Sequence, residues 1–293
     1  MSVALELRGR DRDLGGGLRV SRVLPAAARQ AVGPFVFFDH FGPVEVSPTS
    51  SIDVRPHPHV GLATVTYLLE GAMLHRDSLG NVQRIEPGAI NWMSAGAGIV
   101  HSERRPDDLK NRPYGLHGLQ LWVALPRALE ESPPTFQHTP ERDLPVLDVA
   151  GVEVHVLVGS LFGGRSPVRT ASETVYAKLC FPRDLALTLP ADVEELAVYA
   201  LDTDILVDGV TVRRGTLAVL ASHTPARLRA IVPGHAMLIG GAPLDGPRFI
   251  WWNFVASRSE RISQAAADWE QQRFGRIPGE VEFAPLPERR PKP

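Results

Sequence analysis

The chain has 293 residues, a formal net charge of -2 and no sustained basic stripe, which excludes the electrostatic footprint of a nucleic-acid-binding protein. Its single cysteine, Cys180, excludes an internal disulfide and indicates a reducing compartment; because it lies among apolar residues, we expect it to be an inert core residue. The N-terminus carries early charges, unlike a signal peptide, and no apolar run approaches the ~20 residues of a membrane span, so we expect a cytoplasmic protein.

Short segments of alternating apolar and polar residues occur along the whole chain. Examples in chain order are ATVTYLLEG, GAINWM, GLQLWVALP, VEVHVLVG, TVYAKLCFP, LAVYAL and HAMLIGG. Glycine and proline separate these segments, and the turn-forming sequences at residues 77–81 (DSLGN) and 206–212 (LVDGVTV) predict tight connections between strands. The pattern predicts an all-β protein built from antiparallel sandwiches or barrels.

The first candidate site lies in residues 55–71, RPHPHVGLATVTYLLEG, which place His57 and His59 two positions apart. The flanking prolines favour an extended backbone, and alternate residues of a strand face the same side. We therefore expect the two imidazoles to project together from one strand.

A second pair with the same spacing, His101 and Glu103, follows in residues 92–105, WMSAGAGIVHSERR. If the two pairs lie on facing strands, three imidazoles and one carboxylate converge, a donor set that suits transition metals. Two such pairs can also arise by chance among 10 histidines, so the spacing alone leaves metal binding open. The nearby glycines predict no nucleotide loop, because a β-branched segment and not a helix follows Gly98. The GGG run at residues 15–17 lacks the Lys-Ser/Thr of a phosphate loop.

Residues 126–145 are rich in proline and charge and read as a linker, with a short helical turn at PRALEES. This predicts two domains, residues 1–135 and 136–293. The second half contains His223 and His235 but no His-x-His or His-x-Glu pair, so we expect its barrel to be metal-free and structural. Near the end, the spacing of apolar residues predicts a helix over 257–275 that packs on a barrel wall and stops at Gly275.

Several long motifs together resemble the pirin family of the cupin superfamily. They are FVFFDHFGP, RPHPHVGLATVTYLLEGAMLHRDSLGN, IEPGAINWMSAGAGIVHSE, GLHGLQLWVALP and, near the C-terminus, GGAPLDGPRFIWWNFVASRSERI. The similarity is strongest over residues 35–126. It implies a bicupin, meaning two cupin-type antiparallel β-barrels in one chain, with a short C-terminal helix.

The resemblance also implies one metal ion in the N-terminal barrel, held by the residues that here are His57, His59, His101 and Glu103. Iron(II) is the expected metal, with Zn, Ni, Cu or Mn as alternatives. Many pirins carry a glutamate at the position of Ala63, and its absence here puts in doubt any mechanism that needs a second carboxylate. Four other polar residues are not expected to be ligands. We expect His40 to form a structural hydrogen bond and His75 to lie at the surface or at a pocket edge. His117 and Gln120 lie on a strand that could line the pocket.

The activity implied by the resemblance is a quercetin 2,3-dioxygenase type of reaction on a flavonol or catechol-like aromatic substrate with O2. Glu103 is then either a ligand alone or a ligand that also acts as general base. The alternative is a non-enzymatic, metal-dependent regulatory protein that binds a protein partner. A closed structural zinc site is a third possibility. We expect a monomer without nucleic-acid or membrane partners.

Overall fold

The structure is a computed structural model that describes residues 2–13 and 18–288. The GGG run at 15–17 and most of the terminal PERRPKP segment lie outside the described residues. The strands in chain order are β1 (Val3–Arg8), β2 (Arg10–Asp13), β3 (Arg19–Leu24), β4 (Phe35–Val46), β5 (Val54–His59), β6 (Leu62–Glu70), β7 (Met73–Asp77), β8 (Val82–Ile85), β9 (Ile90–Ser94), β10 (Ile99–Arg104), β11 (Tyr114–Ala124), β12 (Thr135–Thr139), β13 (Val146–Val149), β14 (Val152–Val158), β15 (Ser160–Leu161), β16 (Gly164–Arg165), β17 (Thr174–Phe181), β18 (Leu185–Leu189), β19 (Glu195–Ala200), β20 (Ile205–Val207), β21 (Val210–Val212), β22 (Thr216–Leu220), β23 (Ala226–Ala230), β24 (Gly234–Gly241), β25 (Phe249–Trp251) and β26 (Phe254–Ala256).

Helical structure is scarce by comparison. Helix α1 spans Ser259–Glu270, shorter than the predicted 257–275 because residues 271–274 form a turn. Three short 3-10 helices occupy Asp107–Leu109, Arg127–Leu129 and Glu141–Asp143. In the described part of the chain, no helix is long and apolar enough to cross a bilayer.

The chain forms two compact units, each assembled from three segments. Unit N comprises Arg12–Val20, His40–His138 and Asp245–Pro293, and unit C comprises Met1–Asp11, Ser21–Asp39 and Thr139–Leu244. The division into residues 1–135 and 136–293 stays a prediction of the domain limits. Residues 126–145 hold strand β12 and two of the 3-10 helices, so this stretch is more structured than a simple linker.

The strands assemble into six antiparallel sheets that form two similar sets. One set has a seven-stranded sheet in the order β1-β22-β19-β24-β17-β14-β13, a four-stranded sheet β18-β23-β20-β21, and the β15-β16 hairpin. The other has a seven-stranded sheet β12-β9-β6-β11-β4-β3-β2, a four-stranded sheet β5-β10-β7-β8, and the β25-β26 hairpin. The predicted all-β class is therefore confirmed, and the two sets have matching sheet sizes although the sequence shows no exact repeat.

Period-two alternation directs apolar residues into the core of unit C. In β14, Val152, Val154 and Val156 are fully buried in one hydrophobic cluster, whereas the residues between them face the other way. The predicted Asp-Gly turn joins β20 to β21, where Asp208 and Gly209 both have positive φ, as a type I′ hairpin requires.

A separate hydrophobic cluster in unit N joins helix α1 to the strands that carry the candidate site. Ile262, Ala265, Ala266 and Trp269 of α1 are buried in this cluster, together with Val60 and Val100 among others. Val60 directly follows His59 and Val100 directly precedes His101. Helix α1 contacts strands β25 and β26 and shares this cluster with Val60 and Val100, in agreement with the expected packing of the helix on a barrel wall.

We expect Gly61→Ala to destabilise unit N far more than Gly80→Ala. Both glycines have positive φ, which costs an alanine about 1–2 kcal/mol. A Cβ at residue 61 would also lie 2.0 Å from the Val255 carbonyl oxygen, whereas one at residue 80 meets nothing within 4 Å. This clash adds roughly 1–3 kcal/mol to the destabilisation.

Urea unfolding followed by tryptophan fluorescence measures this difference, because all five tryptophans belong to unit N. Equal losses of unfolding free energy in the two variants would contradict the close approach of residue 61 to residue 255.

Candidate metal centre

Strands β5 and β10 are antiparallel neighbours, and their register brings the predicted donors together. His101 lies opposite His57, and Ile99 lies opposite His59. Since alternate residues share a face, His57, His59 and His101 project to the same side of this sheet. The two pairs of donors spaced two positions apart were expected to converge, and the three histidines among them do so.

The three imidazoles form a buried cluster. One ring nitrogen from each of the three lies within 4.8 Å of the others, and each residue is less than a tenth exposed. The closest pair is Nε2 of His59 and Nε2 of His101, at 3.1 Å. The rings of His57 and His101 have centroids 4.3 Å apart.

Backbone carbonyl groups fix the orientation of two of the rings. Nδ1 of His57 donates to the carbonyl of Arg55 at 2.9 Å, and Nδ1 of His59 donates to the carbonyl of Asn253 at 3.0 Å. A carbonyl oxygen can only accept, so the proton of each neutral ring resides on Nδ1. The Nε2 lone pairs of both rings consequently face the centre of the cluster.

Two residues of β7, His75 and Asp77, orient the ring of His101. Its Nδ1 lies 3.4 Å from Nδ1 of His75, and Nε2 of His75 donates to Oδ2 of Asp77 at 3.0 Å. Nε2 of His75 carries the proton that it donates to Asp77, so its Nδ1 can accept from His101, which leaves the Nε2 lone pair of His101 in the cluster. His75 is not a surface residue, because it is 3% exposed and stacks on Phe136.

Burial keeps the cluster uncharged. Desolvation lowers the pKa of His57 to about 4, against a smaller raising effect of its bond to Arg55. Desolvation and the neighbouring imidazoles also hold the pKa of His59 and of His101 well below the ordinary value. At neutral pH the centre therefore presents three unprotonated Nε2 atoms with no proton among them, an arrangement that a cation stabilises.

Glu103 lies on the same strand but is offset from the histidines. A register shift occurs between His101 and Glu103, and the carboxylate is outside the group of donor atoms that lie within 4.8 Å of one another. Although the side chain keeps some exposed area, its carboxyl group is deeply buried, and desolvation raises its pKa to about 7. Among the described residues, this carboxyl group makes no hydrogen bond or ion pair. It therefore lacks the hydrogen bonds or ion pairs that usually offset the cost of burying a carboxylate.

The chemistry of this donor set fits a transition metal. Two nitrogen ligands at right angles, each about 2.1 Å from an ion, lie ~3.0 Å apart. The observed separation of 3.1 Å between the Nε2 atoms of His59 and His101 matches that value. His57 would supply the third nitrogen, and the carboxylate of Glu103 stays outside this group of donor atoms.

A C-terminal segment contacts β5 and β10, the two strands that carry the histidines. Glu280 accepts from Ser102 at 2.5 Å and pairs with Arg104, so alternate residues of β10 are fixed on the side opposite His101. The backbone N–H of Ala284 donates to the carbonyl of Pro56 at 2.7 Å. No local sequence pattern indicates these contacts, because the partners are more than 170 residues apart.

The other expected polar residues form hydrogen bonds elsewhere in unit N. Nε2 of His40 lies 2.7 Å from Nε2 of His117, which agrees with a structural hydrogen bond for His40. Gln120 accepts from the hydroxyl of Thr66 at 2.9 Å. Ala63 is completely buried in β6, opposite Ser94 and Val123 on the neighbouring strands.

Comparison with known proteins identifies the family. The model described as "Pirin" matches residues 17–123, and the model described as "Pirin C-terminal cupin domain" matches residues 176–275. The chain belongs to the pirin family. The two-domain cupin fold expected from the sequence is thereby confirmed.

Individual pirin relatives are similar over almost the full length. A "Pirin-like protein" of Caulobacter vibrioides is 42% identical over 98% of this chain and 100% of its own. A Pseudomonas aeruginosa protein named "Putative quercetin 2,3-dioxygenase" is 39% identical over 92% of this chain and 84% of its own. The crystal structure of a quercetin 2,3-dioxygenase from Acinetobacter baumannii superposes with a TM-score of 0.89 at 36% identity, covering 98% of this chain and 96% of that one.

His75→Phe should weaken metal binding while leaving all four predicted ligands in place. Phenylalanine keeps the ring against Phe136 but removes the nitrogen that orients His101. Loss of such an outer hydrogen bond typically lowers metal affinity about 10- to 100-fold. Competition with a chromophoric chelator measures the affinity, and His117→Phe is the matched control. Unchanged affinity in the His75 variant would contradict the orienting role.

Metal affinity should also rise with pH and then level off above the pKa of Glu103. In the metal-free protein this carboxyl group has a pKa of about 7, so a proton competes with the ion below that pH. We expect affinity to fall about fivefold between pH 7 and pH 6, because the deprotonated fraction of a group with this pKa falls from about one half to about one tenth.

Glu103→Gln should bind the metal more weakly and lose this pH dependence between pH 6 and 8. Isothermal titration with Ni²⁺ or Mn²⁺ at several pH values measures both effects. An identical pH dependence in the variant would remove Glu103 from the ligand set.

Proposed function

We propose that this pirin is a metal-dependent dioxygenase with quercetin 2,3-dioxygenase-type activity on flavonol or catechol-like aromatic substrates. The observation that carries the proposal is the convergence of three unprotonated imidazoles, His57, His59 and His101, in unit N, with the buried carboxyl group of Glu103 two residues beyond His101 on β10. The names of the Pseudomonas and Acinetobacter relatives support the same reaction class.

The proposed ligands are His57, His59, His101 and Glu103, and the proposed metal is iron(II). A set of imidazoles with one carboxylate suits non-haem iron. When bound, iron supplies a Lewis-acidic and redox-active centre for the substrate oxygen and O2.

The protein's own contribution begins with fixed orientation. Hydrogen bonds from the three Nδ1 atoms to Arg55, Asn253 and His75 prevent the rings from turning away from the centre. Preorganised ligands avoid reorganisation when substrate binds, and buried surroundings strengthen electrostatic interactions at the reacting atoms. Trp122 packs edge-on against His59, with centroids 5.3 Å apart, and adds an apolar wall to this environment.

Glu103 is the proposed acceptor of the substrate proton. A flavonol or catechol must lose a hydroxyl proton before its oxygen can serve as an anionic ligand. A carboxylate whose pKa is raised to about 7 is a better base than an exposed glutamate, and it has no competing partner among the described side chains. The competing role, in which Glu103 is only an anionic ligand, predicts a different mutant phenotype.

We expect iron(II)-loaded protein to consume O2 in the presence of quercetin and His101→Ala to lose this activity together with the metal. Glu103→Asp separates the two roles of the carboxylate: if it is also the base, O2 uptake at saturating iron falls more than iron content does. An oxygen electrode measures uptake, and plasma emission spectrometry measures iron. His117→Ala serves as a control with an intact donor set.

Absence of O2 uptake by fully iron-loaded protein, across a panel of flavonols and catechols, would overturn the dioxygenase proposal. The regulatory alternative predicts instead that iron-loaded and iron-free protein capture different partners. Identical capture by the two forms would remove that alternative.

A further inference from the structure

A second group of donor side chains lies in unit C, on three adjacent strands. The register places Glu153 of β14 opposite Cys180 of β17, and Cys180 opposite His235 of β24. His155 follows on β14 at the same i, i+2 spacing that marks the first site. These residues alternate with core residues such as Val154 and Leu179, so their side chains occupy the face opposite the hydrophobic core.

The donor atoms of this group are close together. The carboxylate of Glu153, Nε2 of His155 and Sγ of Cys180 all lie within 4.8 Å of one another, and Glu153 Oε1 is 2.6 Å from His155 Nε2. Glu153 is mostly exposed at 57%, whereas His155 is 11% exposed. The group therefore combines a solvent-accessible carboxylate with a mostly buried imidazole and a partly buried thiol, and an ion can reach it from solution.

A fourth donor approaches the same sulfur from β24. Nδ1 of His235 donates to Oδ2 of Asp202 at 2.6 Å, and Oδ1 of Asp202 accepts from the His235 backbone N–H at 2.7 Å. The strand register places His235 directly opposite Cys180. A carboxylate that orients a histidine through its distal nitrogen is the usual outer partner of a metal-bound imidazole.

Cys180 is not the inert core residue that its apolar neighbours predicted. It is only partly buried and contacts two imidazoles. Burial raises the pKa of the thiol, but hydrogen bonds with His155 and His235 outweigh this and lower the pKa to about 7. Sequence reasoning missed this environment because the cysteine and its partners come from three strands far apart in the chain.

We propose that Glu153, His155 and Cys180 form a second divalent-metal site, with His235 as the fourth ligand and Zn²⁺ as the class of ion. Thiolate, imidazole and carboxylate are the three ligand types that zinc takes in proteins, and four of them satisfy its tetrahedral preference. The ion would link β14, β17 and β24, which are neighbouring strands of the seven-stranded sheet in unit C, and would thereby stabilise that sheet. This proposal replaces the expectation of a metal-free second barrel and is independent of the proposed oxygenase.

Cobalt(II) provides a specific probe of this site, because Cys180 is the only cysteine in the chain. A thiolate bound to Co²⁺ gives a near-ultraviolet charge-transfer band, and the histidine-glutamate site of unit N contains no sulfur. Titration of full-length protein with Co²⁺ should produce the band, saturating at about one equivalent for this site. The band should persist in His101→Ala, in which the first site is disabled.

Substitutions then separate the ligands from their surroundings. Cys180→Ser should abolish the band and leave the iron content of unit N unchanged. His155→Gln should weaken Co²⁺ binding by at least tenfold, whereas His223→Asn should not, because His223 is exposed, belongs to no donor group and already has a positive φ that asparagine tolerates. No band in the wild-type protein, or equal affinity in the His155 and His223 variants, would overturn the proposal.

A measurement on the unsubstituted protein guards against variants that fail to fold. Saturating Zn²⁺ should slow the alkylation of Cys180 by iodoacetamide at least tenfold, as followed by intact mass. Removal of Zn²⁺ with EDTA should restore the rate. An alkylation rate that is the same with and without Zn²⁺ would show a histidine-thiolate pair that binds no metal, and would overturn the proposal.

Discussion

The mutual orientation of three neutral imidazoles is the constraint on which the metal centre depends. His59 and His101 present facing Nε2 lone pairs only 3.1 Å apart, in a region where burial opposes protonation of either ring. Lone pairs at that distance repel unless a cation or proton lies between them. The surrounding structure holds them there through acceptors on the Nδ1 side, and so opposes this repulsion at some cost in stability.

That cost is offset by supports on the outer side of the same strands. Helix α1 belongs to the same hydrophobic cluster as Val60 and Val100, which are sequence neighbours of His59 and His101, and the segment around Glu280 fixes β10. Local order at the site therefore depends on residues near the C-terminus. Substitutions in α1 are expected to affect metal retention although none of its residues contacts the ligands directly.

The two donor groups share the same arrangement on their strands but differ in their chemistry. Both use an i, i+2 pair on one strand and a partner on the adjacent strand. In unit N the pair faces a buried interior, and its imidazoles are held neutral. In unit C the pair faces away from the core, a carboxylate is exposed, and the neighbouring sulfur adds a ligand that unit N lacks.

Alternation of residue types by itself determined the all-β class, the two hairpin turns and the common direction of His57 and His59, because strand period and turn chemistry are local properties. The family motifs extended this to the cupin fold and the four proposed ligands. Tertiary structure alone decided that His75 lies beneath His101, that a register shift offsets Glu103, and that Cys180 meets His155 and His235. Each of these depends on strand register and long-range pairing, for which the spacing of residues along one segment carries no information.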